Sequence, residues 1–497
     1  PLSAVLARAG GGALPGAADW AALRFTLWQA AASAALSVVL AVPVARALAR
    51  RSFPGRKALL SLIGAPFVLP GVVAAGAILA VFGRTGAVNR GLAALGLPEI
   101  AVYGPQGVIL AHVFLNLPLA IRLIVQGWAD IPSERFRLAE SLSFGPAEVA
   151  RHLGRPMLRA VAPGAFLTIF LVCLTSFPVV LILGGGPRAT TIELAIYQAF
   201  RFDFDLARAA TLAALQLALS LAATLLVLGV ALPAGFGGGL DRAAIRGGLA
   251  RSPWLGLQDA ALIAAAALFL LGPLGFVAAA GAPHLAGLPA SVWAAAGRSA
   301  LVAVAATALA MGLALPIVLG AARMPARAGR RIEAAGMLAL VASPLVTGTG
   351  AFLLLRPLTD PAALALPLTA AANALLALPF AIRILSPPAR EAEAAFGRLA
   401  DSLALTGLAR ARHVTLPRLR RPLGFAAGLA AAISAGDLGV AALFADPDRA
   451  TLPVAVQRLM GAYRMDQAAG ASLLLVGLGL GLFLGFDRIG GGRRAET

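Results

Sequence analysis

The sequence holds one cysteine, Cys173, and one lysine, Lys57, among 497 residues. A lone cysteine inside an apolar run excludes a disulfide framework and a cysteine metal site, and reads as a small packing residue. A phosphate-cradling loop needs a glycine-rich turn ending in Gly-Lys-Ser/Thr. Lys57 stands in Pro54-Gly55-Arg56-Lys57-Ala58, which has neither the spacing nor the hydroxyl, and Gly184-Gly185-Gly186-Pro187 has glycines without a lysine. The chain alone is therefore not expected to hydrolyse ATP. The four histidines, His112, His152, His284 and His413, show no metal-ligand spacing, and no catalytic serine or carboxylate pair stands out. Charge is scarce too: 13% of residues are charged against 60% hydrophobic. Acids within the apolar runs amount to little beyond Asp437, so the relay of a proton-coupled carrier is missing.

What is abundant is apolar sequence in runs longer than a soluble core needs, which places the chain in a bilayer as an all-α polytopic protein. Spans of about twenty residues fit 25–48, 58–83, 107–128, 160–185 and 207–232, then 262–281, 292–322, 332–355, 366–385, 422–445 and 468–487. The net charge of +19 comes in short arginine clusters between these runs, never as a basic face interleaved with aromatics, so nucleic acid is not the partner. Cytoplasmic loops keep arginine and lysine. Arg46 to Lys57, Arg135 to Arg159, Arg242 to Arg251, Arg323 to Arg331, Arg390 to Arg421 and Arg488 to Arg494 all fall on one side when the spans alternate. The C-terminus is then cytoplasmic.

Two stretches match at a fixed offset of 261 residues. Leu117-Pro118-Leu119-Ala120-Ile121-Arg122, Arg137-Leu138-Ala139-Glu140-Ser141-Leu142, Arg151-His152 and Pro156 are followed by Leu378-Pro379-Phe380-Ala381-Ile382-Arg383, Arg398-Leu399-Ala400-Asp401-Ser402-Leu403, Arg412-His413 and Pro417. The chain therefore reads as two homologous halves fused in tandem. The expected boundaries are 1–232 for the first half, 233–260 for a cytoplasmic linker and 261–497 for the second. Arg298-Ser299-Ala300-Leu301 corresponds loosely to Arg24-Phe25-Thr26-Leu27, which maps the span 262–281 largely before residue 1. Eleven spans are visible and twelve are expected in an intact chain, with Leu2 to Leu6 as the tail of the first.

Both repeated loops are amphipathic. Leu138, Leu142, Val149 and Leu153, or Leu399, Leu403 and Val414, can share one side of a short helix. Arg137, Glu140, Ser141, Glu148 and Arg151, or Arg398, Asp401, Ser402 and Arg412, take the other. Such a helix lies along the membrane and offers a surface to a partner.

These loops resemble the cytoplasmic signature of ATP-binding-cassette importer permeases, Glu-Ala-Ala, three residues, Gly, then a run ending in Leu-Pro. Ala139 and Ala400 take the second alanine, and Pro156 and Leu416-Pro417 the terminal positions. Arg137 and Arg398 stand where that family has Glu, and Ser143 and Ala404 where it has Gly. The resemblance implies that these residues, with Gly145 and Gly407, seat in a separate ATPase subunit carrying the ATP and magnesium, and that this chain binds no cofactor or metal. Gly184-Gly185-Gly186-Pro187-Arg188-Ala189-Thr190-Thr191-Ile192-Glu193 through Phe200 is similar to the same segment of thiamine and thiamine-pyrophosphate importer permeases. Further matches are Arg51-Ser52-Phe53-Pro54-Gly55-Arg56, Ala111 to Pro118, Gly436 to Phe444 and Gly461-Ala462-Tyr463-Arg464.

That resemblance implies a permease of the bacterial inner membrane that works with two copies of an ATPase subunit and a periplasmic thiamine-binding protein. The alternative within the class is a ferric-iron permease; outside it stand a proton-coupled carrier and a channel. Gly184, Gly185, Gly186, Arg188, Thr190, Thr191 and Glu193 are expected to face the receptor. Asp437, midway along a span after Gly436, is the sharpest candidate in the substrate path, with Ser176 at the matched position. A carboxylate bonded to backbone amides at a glycine-loosened helix remains the other reading. Asn116 and Asn373 are further path candidates, as are Thr347 and Thr349, although span amides and hydroxyls often serve helix packing.

Overall fold

A computed structural model describes residues 1–9, 15–63, 69–184, 186–229, 253–361, 363–444 and 449–491, and among them are helices and turns but no strand. Up to residue 229 the helices are α1 (Leu2–Ala9), α2 (Ala17–Arg50), α3 (Arg56–Ile63), α4 (Gly71–Phe82), α5 (Ala87–Ala94), α6 (Pro105–Ala129), α7 (Ser133–Ser141), α8 (Arg155–Leu174), α9 (Pro178–Leu183), α10 (Ile192–Arg201) and α11 (Leu206–Gly229). From residue 253 they are α12 (Pro253–Gly281), α13 (Ala290–Arg323), α14 (Ala326–Met337), α15 (Pro344–Leu355), α16 (Ala365–Ser402), α17 (Leu416–Ala435), α18 (Gly439–Phe444), α19 (Leu452–Gly461) and α20 (Met465–Gly491). The series correspond in order. α8 and α9 recur as α17 and α18, α10 and α11 as α19 and α20, and α2 and α4 as α13 and α15.

Ten helical stretches among the described residues are long and apolar enough to cross a bilayer, one fewer than expected. The missing one is 332–355. There α14 stops at Met337, a tight turn covers Leu338–Val341, and α15 begins at Pro344 with only 12 residues. Proline at the first helical position gives up an N–H that had no partner, and Ser343 Oγ accepts the Val346 N–H at 3.1 Å. The span 58–83 likewise divides into α3 and α4, with 64–68 outside the described residues. The span 160–185 breaks between Leu174 and Pro178, and 422–445 between Ala435 and Gly439. Apolar length hides such breaks because the interrupting residues, Asp437 apart, are themselves uncharged. Of the expected linker 233–260, residues 233–252 lie outside the described residues, and helix is already present from Pro253.

The short helices form the seam between halves. α4 packs on α9 of its own half and on α19 and α20 of the other; in the same way α15 packs on α18 and on α10 and α11. The leading helices cross over as well, α12 against α2 and α4, α1 against α15. α12 is pinned by Asp259, 1% exposed, which accepts from Arg50 Nη2 at 2.7 Å and Arg51 Nε at 2.9 Å at the end of α2. A carboxylate that deep requires such pairing.

Between α17 and α20 the backbones touch. A Cβ at Gly424 would fall 2.7 Å from Gly490 Cα, and one at Gly428 would fall 2.7 Å from the Phe483 carbonyl. This is a small-xxx-small crossing, in which missing side chains let helices gain dispersion contact that lipid does not replace. Gly424→Val should cost about 2 kcal/mol of stability by overpacking and lower the melting temperature of the detergent-purified protein. Gly479→Val, where nothing lies within 4 Å, should leave it unchanged. Equal melting temperatures for the two would contradict the close crossing.

Candidate functional site: two matched loops and the seam

The loops close identically although their residues differ. After α7, Leu142 N–H donates to Leu138 O (3.0 Å), Ser143 N–H to Glu140 O (3.0 Å) and Phe144 N–H to Ala139 O (2.9 Å). After α16, Leu403, Ala404 and Leu405 donate to Leu399, Asp401 and Ala400 at 3.1, 3.0 and 2.9 Å. The pattern is a Schellman closure, which needs one residue in the left-handed region. That residue is Ser143 (φ 55°) in one loop and Ala404 (φ 52°) in the other. The glycine of the signature is thus a backbone requirement, met here by L residues at about 1 kcal/mol each. Ser141 and Ser402 hydroxyls reinforce the ends, donating to Leu138 O and Leu399 O, both at 2.8 Å.

The closure also divides the apolar residues. Ala139 and Ala400 are buried, whereas Leu138, Leu142, Leu399 and Leu403 are each more than half exposed. Val149 turns inward instead of joining them, because it belongs to the turn Pro146–Val149 beyond the break, and Leu153 and Val414 are half-buried. Arg137, Glu140, Arg398 and Asp401 surround the leucines at the surface. Glu134, in the first turn of α7, has its carboxyl held below the usual carboxylate range by its own backbone N–H and the Ser133 hydroxyl. Gly145 precedes one short turn in extended backbone and Gly407 opens the other at φ 54°. Pro156 and Pro417 each follow a widened π turn, Ala150–Gly154 and Ala411–Thr415, since proline has no N–H to bond the carbonyl four residues back.

Beneath this likeness the supports differ. Arg410, which occupies the place of Val149, bridges Glu393 and Asp401 and donates to Gly397 O at 3.2 Å. Arg418 lies 3.5 Å from the Phe396 ring centroid. The first loop has Val149 and a Phe144–His152 ring contact at 5.4 Å in their place. No local spacing announces the Arg410 cluster, whose acids lie 9 and 17 residues away.

Within the membrane the helix breaks are wrapped in amides. Gln29 Nε2 donates to Cys173 O at 3.0 Å, and Gln216 Nε2 to Leu174 O at 3.1 Å. His112 Nε2 meets Ser176 Oγ at 2.8 Å, and Asn116 Nδ2 donates to His112 O at 2.8 Å. In the second half Asn373, matched to His112, donates to Ser434 O and Oγ at 3.2 and 3.0 Å. Asp437 Oδ1 accepts the Gly439 N–H at 3.3 Å, while Oδ2 is buried without a partner. A cavity of about 270 Å³ opens between the halves. Thr168 of α8, Thr175 in the break after it, Ser343 and Pro344 at the start of α15, and Pro379 and Arg383 of α16 belong to its wall. Asp437, Ser176, Asn116 and Asn373 lie beside the breaks and do not line that cavity.

The segment after α9 divides between surface and interior. Gly184 is buried, Gly186 (φ 114°) and Arg188 are exposed, and Thr190 is half-buried with its hydroxyl donating to Gly186 O at 3.2 Å. Gly185 lies outside the described residues. Thr191 and Glu193 are wholly buried. Thr191 Oγ caps α10 at the Leu194 N–H, and Thr26 Oγ accepts the Ile192 N–H at 2.9 Å, so the start of α10 is drawn in against α2.

Two series of corresponding helices, with paired loops and a seam of interrupted helices, define a polytopic membrane permease made of two homologous halves. No family profile matches the chain. It is 38% identical to the thiamine transport system permease protein ThiP of Brucella melitensis over 99% of this chain and 93% of that protein. Identity to the ThiP proteins of Salmonella typhimurium and Escherichia coli is 40% and 39%, each over 96% of this chain and 90% of the relative. The chain belongs to the family of thiamine transport system permease proteins.

Relieving the left-handed strain should tighten both loops. Ser143→Gly and Ala404→Gly should each stabilise the closure by a few tenths to about 1 kcal/mol after the entropy of glycine is offset, slowing amide exchange at Phe144 and Leu405. Ser143→Val and Ala404→Val should speed it. Exchange that is equal in all four variants would contradict the strained turn.

Proposed function

We propose that the chain is the transmembrane part of an ATP-driven importer of thiamine or its phosphates in the bacterial inner membrane, with its C-terminus in the cytoplasm. Full-length similarity to permeases named for thiamine transport supports thiamine over ferric iron. The observation that carries the coupling assignment is the pair of exposed leucines presented by the same strained closure in each loop. Two matched surfaces suit two copies of one ATPase subunit, which would hold the ATP and magnesium, since the chain has no phosphate-cradling motif of its own. On that account the chain is the transport subunit.

In this reading, closure of the ATPase pair draws Leu138 and Leu142 toward Leu399 and Leu403. The rigid closures pass that displacement through the proline-marked turns into α8 and α17. Those helices line the cavity between halves, so their movement opens and shuts the path. A periplasmic thiamine-binding protein would deliver substrate at the exposed Gly186, Arg188 and Thr190. Asp437, Ser176, Asn116 and Asn373 would keep the breaks beside the path in register.

Replacing Leu138 and Leu142, or Leu399 and Leu403, with Asp tests the coupling. Either pair of changes should weaken copurification with the ATPase and abolish ATP-dependent thiamine uptake, while the permease stays folded in the membrane, because each places charge in an apolar contact. Full copurification after all four changes would refute the assignment.

A further inference from the structure

Glu193 is the one acid of the segment after α9 that the mechanism above leaves unused. It has no exposed surface, and neither carboxylate oxygen has a hydrogen-bond partner of ordinary geometry. Ser343 and Gln216 are the polar side chains facing it. α10, which carries Glu193, packs against α11 of its own half and α15 of the other, so the carboxylate lies at the seam. Ser343 caps α15, and together with Pro344 it forms part of the cavity wall. Ser343 thus faces the acid and the cavity alike. Pro344 also packs against Gly439, whose N–H donates to Asp437 Oδ1. Glu193 faces the start of α15 directly, and Asp437 is linked to it through Gly439; each acid has a buried unpartnered oxygen.

The repeat supplies an internal control. Ile192 and Leu452 begin the corresponding helices α10 and α19, which puts Pro453 at the place of Glu193, and Pro70 precedes α4 where Ser343 precedes α15. The fold is thus built on one side of the seam with two prolines and on the other with an acid and a hydroxyl. Packing does not require the carboxylate. An unpaired acid in a membrane protein's interior is costly and is ordinarily kept for a ligand or a path.

We propose that Glu193 is the carboxylate that a cationic substrate meets at the seam, screened behind Ser343 while the halves are together and uncovered when they part. This rests on the transport reading above and adds to it the chemistry by which the permease itself favours an organic cation. Attraction is needed only in the parted state, which accounts for a carboxylate left without a partner in the closed one. Asp437, already bonded to the Gly439 amide in the break before α18, is the secondary acid.

The experiment compares wild type, Glu193→Gln and Glu193→Asp, each reconstituted in liposomes with the ATPase and the thiamine-binding protein. Uptake of radiolabelled thiamine, ATP hydrolysis and melting temperature are measured on each. Glu193→Gln should lower maximal uptake about tenfold with the half-saturating concentration unchanged, while ATP hydrolysis stimulated by the binding protein persists. Glu193→Asp should recover much of the loss. Uptake by Glu193→Gln at the wild-type rate would overturn the proposal, as would equal losses in both variants that track a fall in melting temperature. A wild-type complex that takes up no thiamine would overturn the transport reading and this inference with it.

Discussion

A helix interrupted at membrane depth frees backbone N–H and C=O groups that hydrocarbon does not satisfy. Much of this protein's interior answers that constraint. The breaks after Leu174 and Ala435 and the late starts at Gly71 and Pro344 are placed in the middle of the molecule, where α4 and α15 each reach into the opposite half. Freed carbonyls at Cys173 and Leu174 are bonded by Gln29 and Gln216, and the one at Ser434 by Asn373. Each half thus bonds the carbonyls of its own break, while α4 and α15 cross into the other half and cover the breaks there. The cavity lies beside the same interruptions, with Thr175, Ser343 and Pro344 in its wall.

The two halves keep one backbone plan and vary the chemistry that holds it. Ser143 and Ala404 adopt the same left-handed conformation without glycine, and the second loop replaces buried Val149 with the Arg410 ion cluster. A partner pressing equally on both loops meets an apolar support on one side and an ionic one on the other. The ionic support carries a desolvation cost and needs every charge in place, whereas the apolar one tolerates small shifts. The asymmetry records the divergence of the two halves.

The membrane class, the repeat and both loops were legible in the sequence, since they rest on apolar length, a fixed offset and short-range spacing. Ala139 and Ala400 face inward, and Leu138 and Leu399 outward, as a helical loop requires. Of the breaks, the one at Gly436-Asp437 is legible as a glycine-loosened helix; those at Ser343-Pro344 and Thr175-Ser176-Phe177 are not, because they are short and uncharged and hydropathy runs straight through them. Glu193 was expected at the surface because its glycine-rich neighbourhood reads as a loop. In the structure Thr191 caps α10 and Thr26 draws its first turn inward, a contact 166 residues apart in sequence. Long-range pairings such as Asp259 with Arg50, or Arg410 with Glu393, leave no periodic trace at all.

The central claim is that two matched loops transmit one movement to two halves across an interrupted seam. Arg151 and Arg412 are exposed, lie at matched positions, and stand clear of the leucine pairs. With Cys173 replaced and spin labels at Arg151→Cys and Arg412→Cys, electron–electron resonance measures the distance between loops in the complex with the ATPase. ATP trapped before hydrolysis should shorten that distance, and the shortening should vanish when Leu138, Leu142, Leu399 and Leu403 are changed to Asp. A distance that does not respond to ATP in the intact complex would contradict the account.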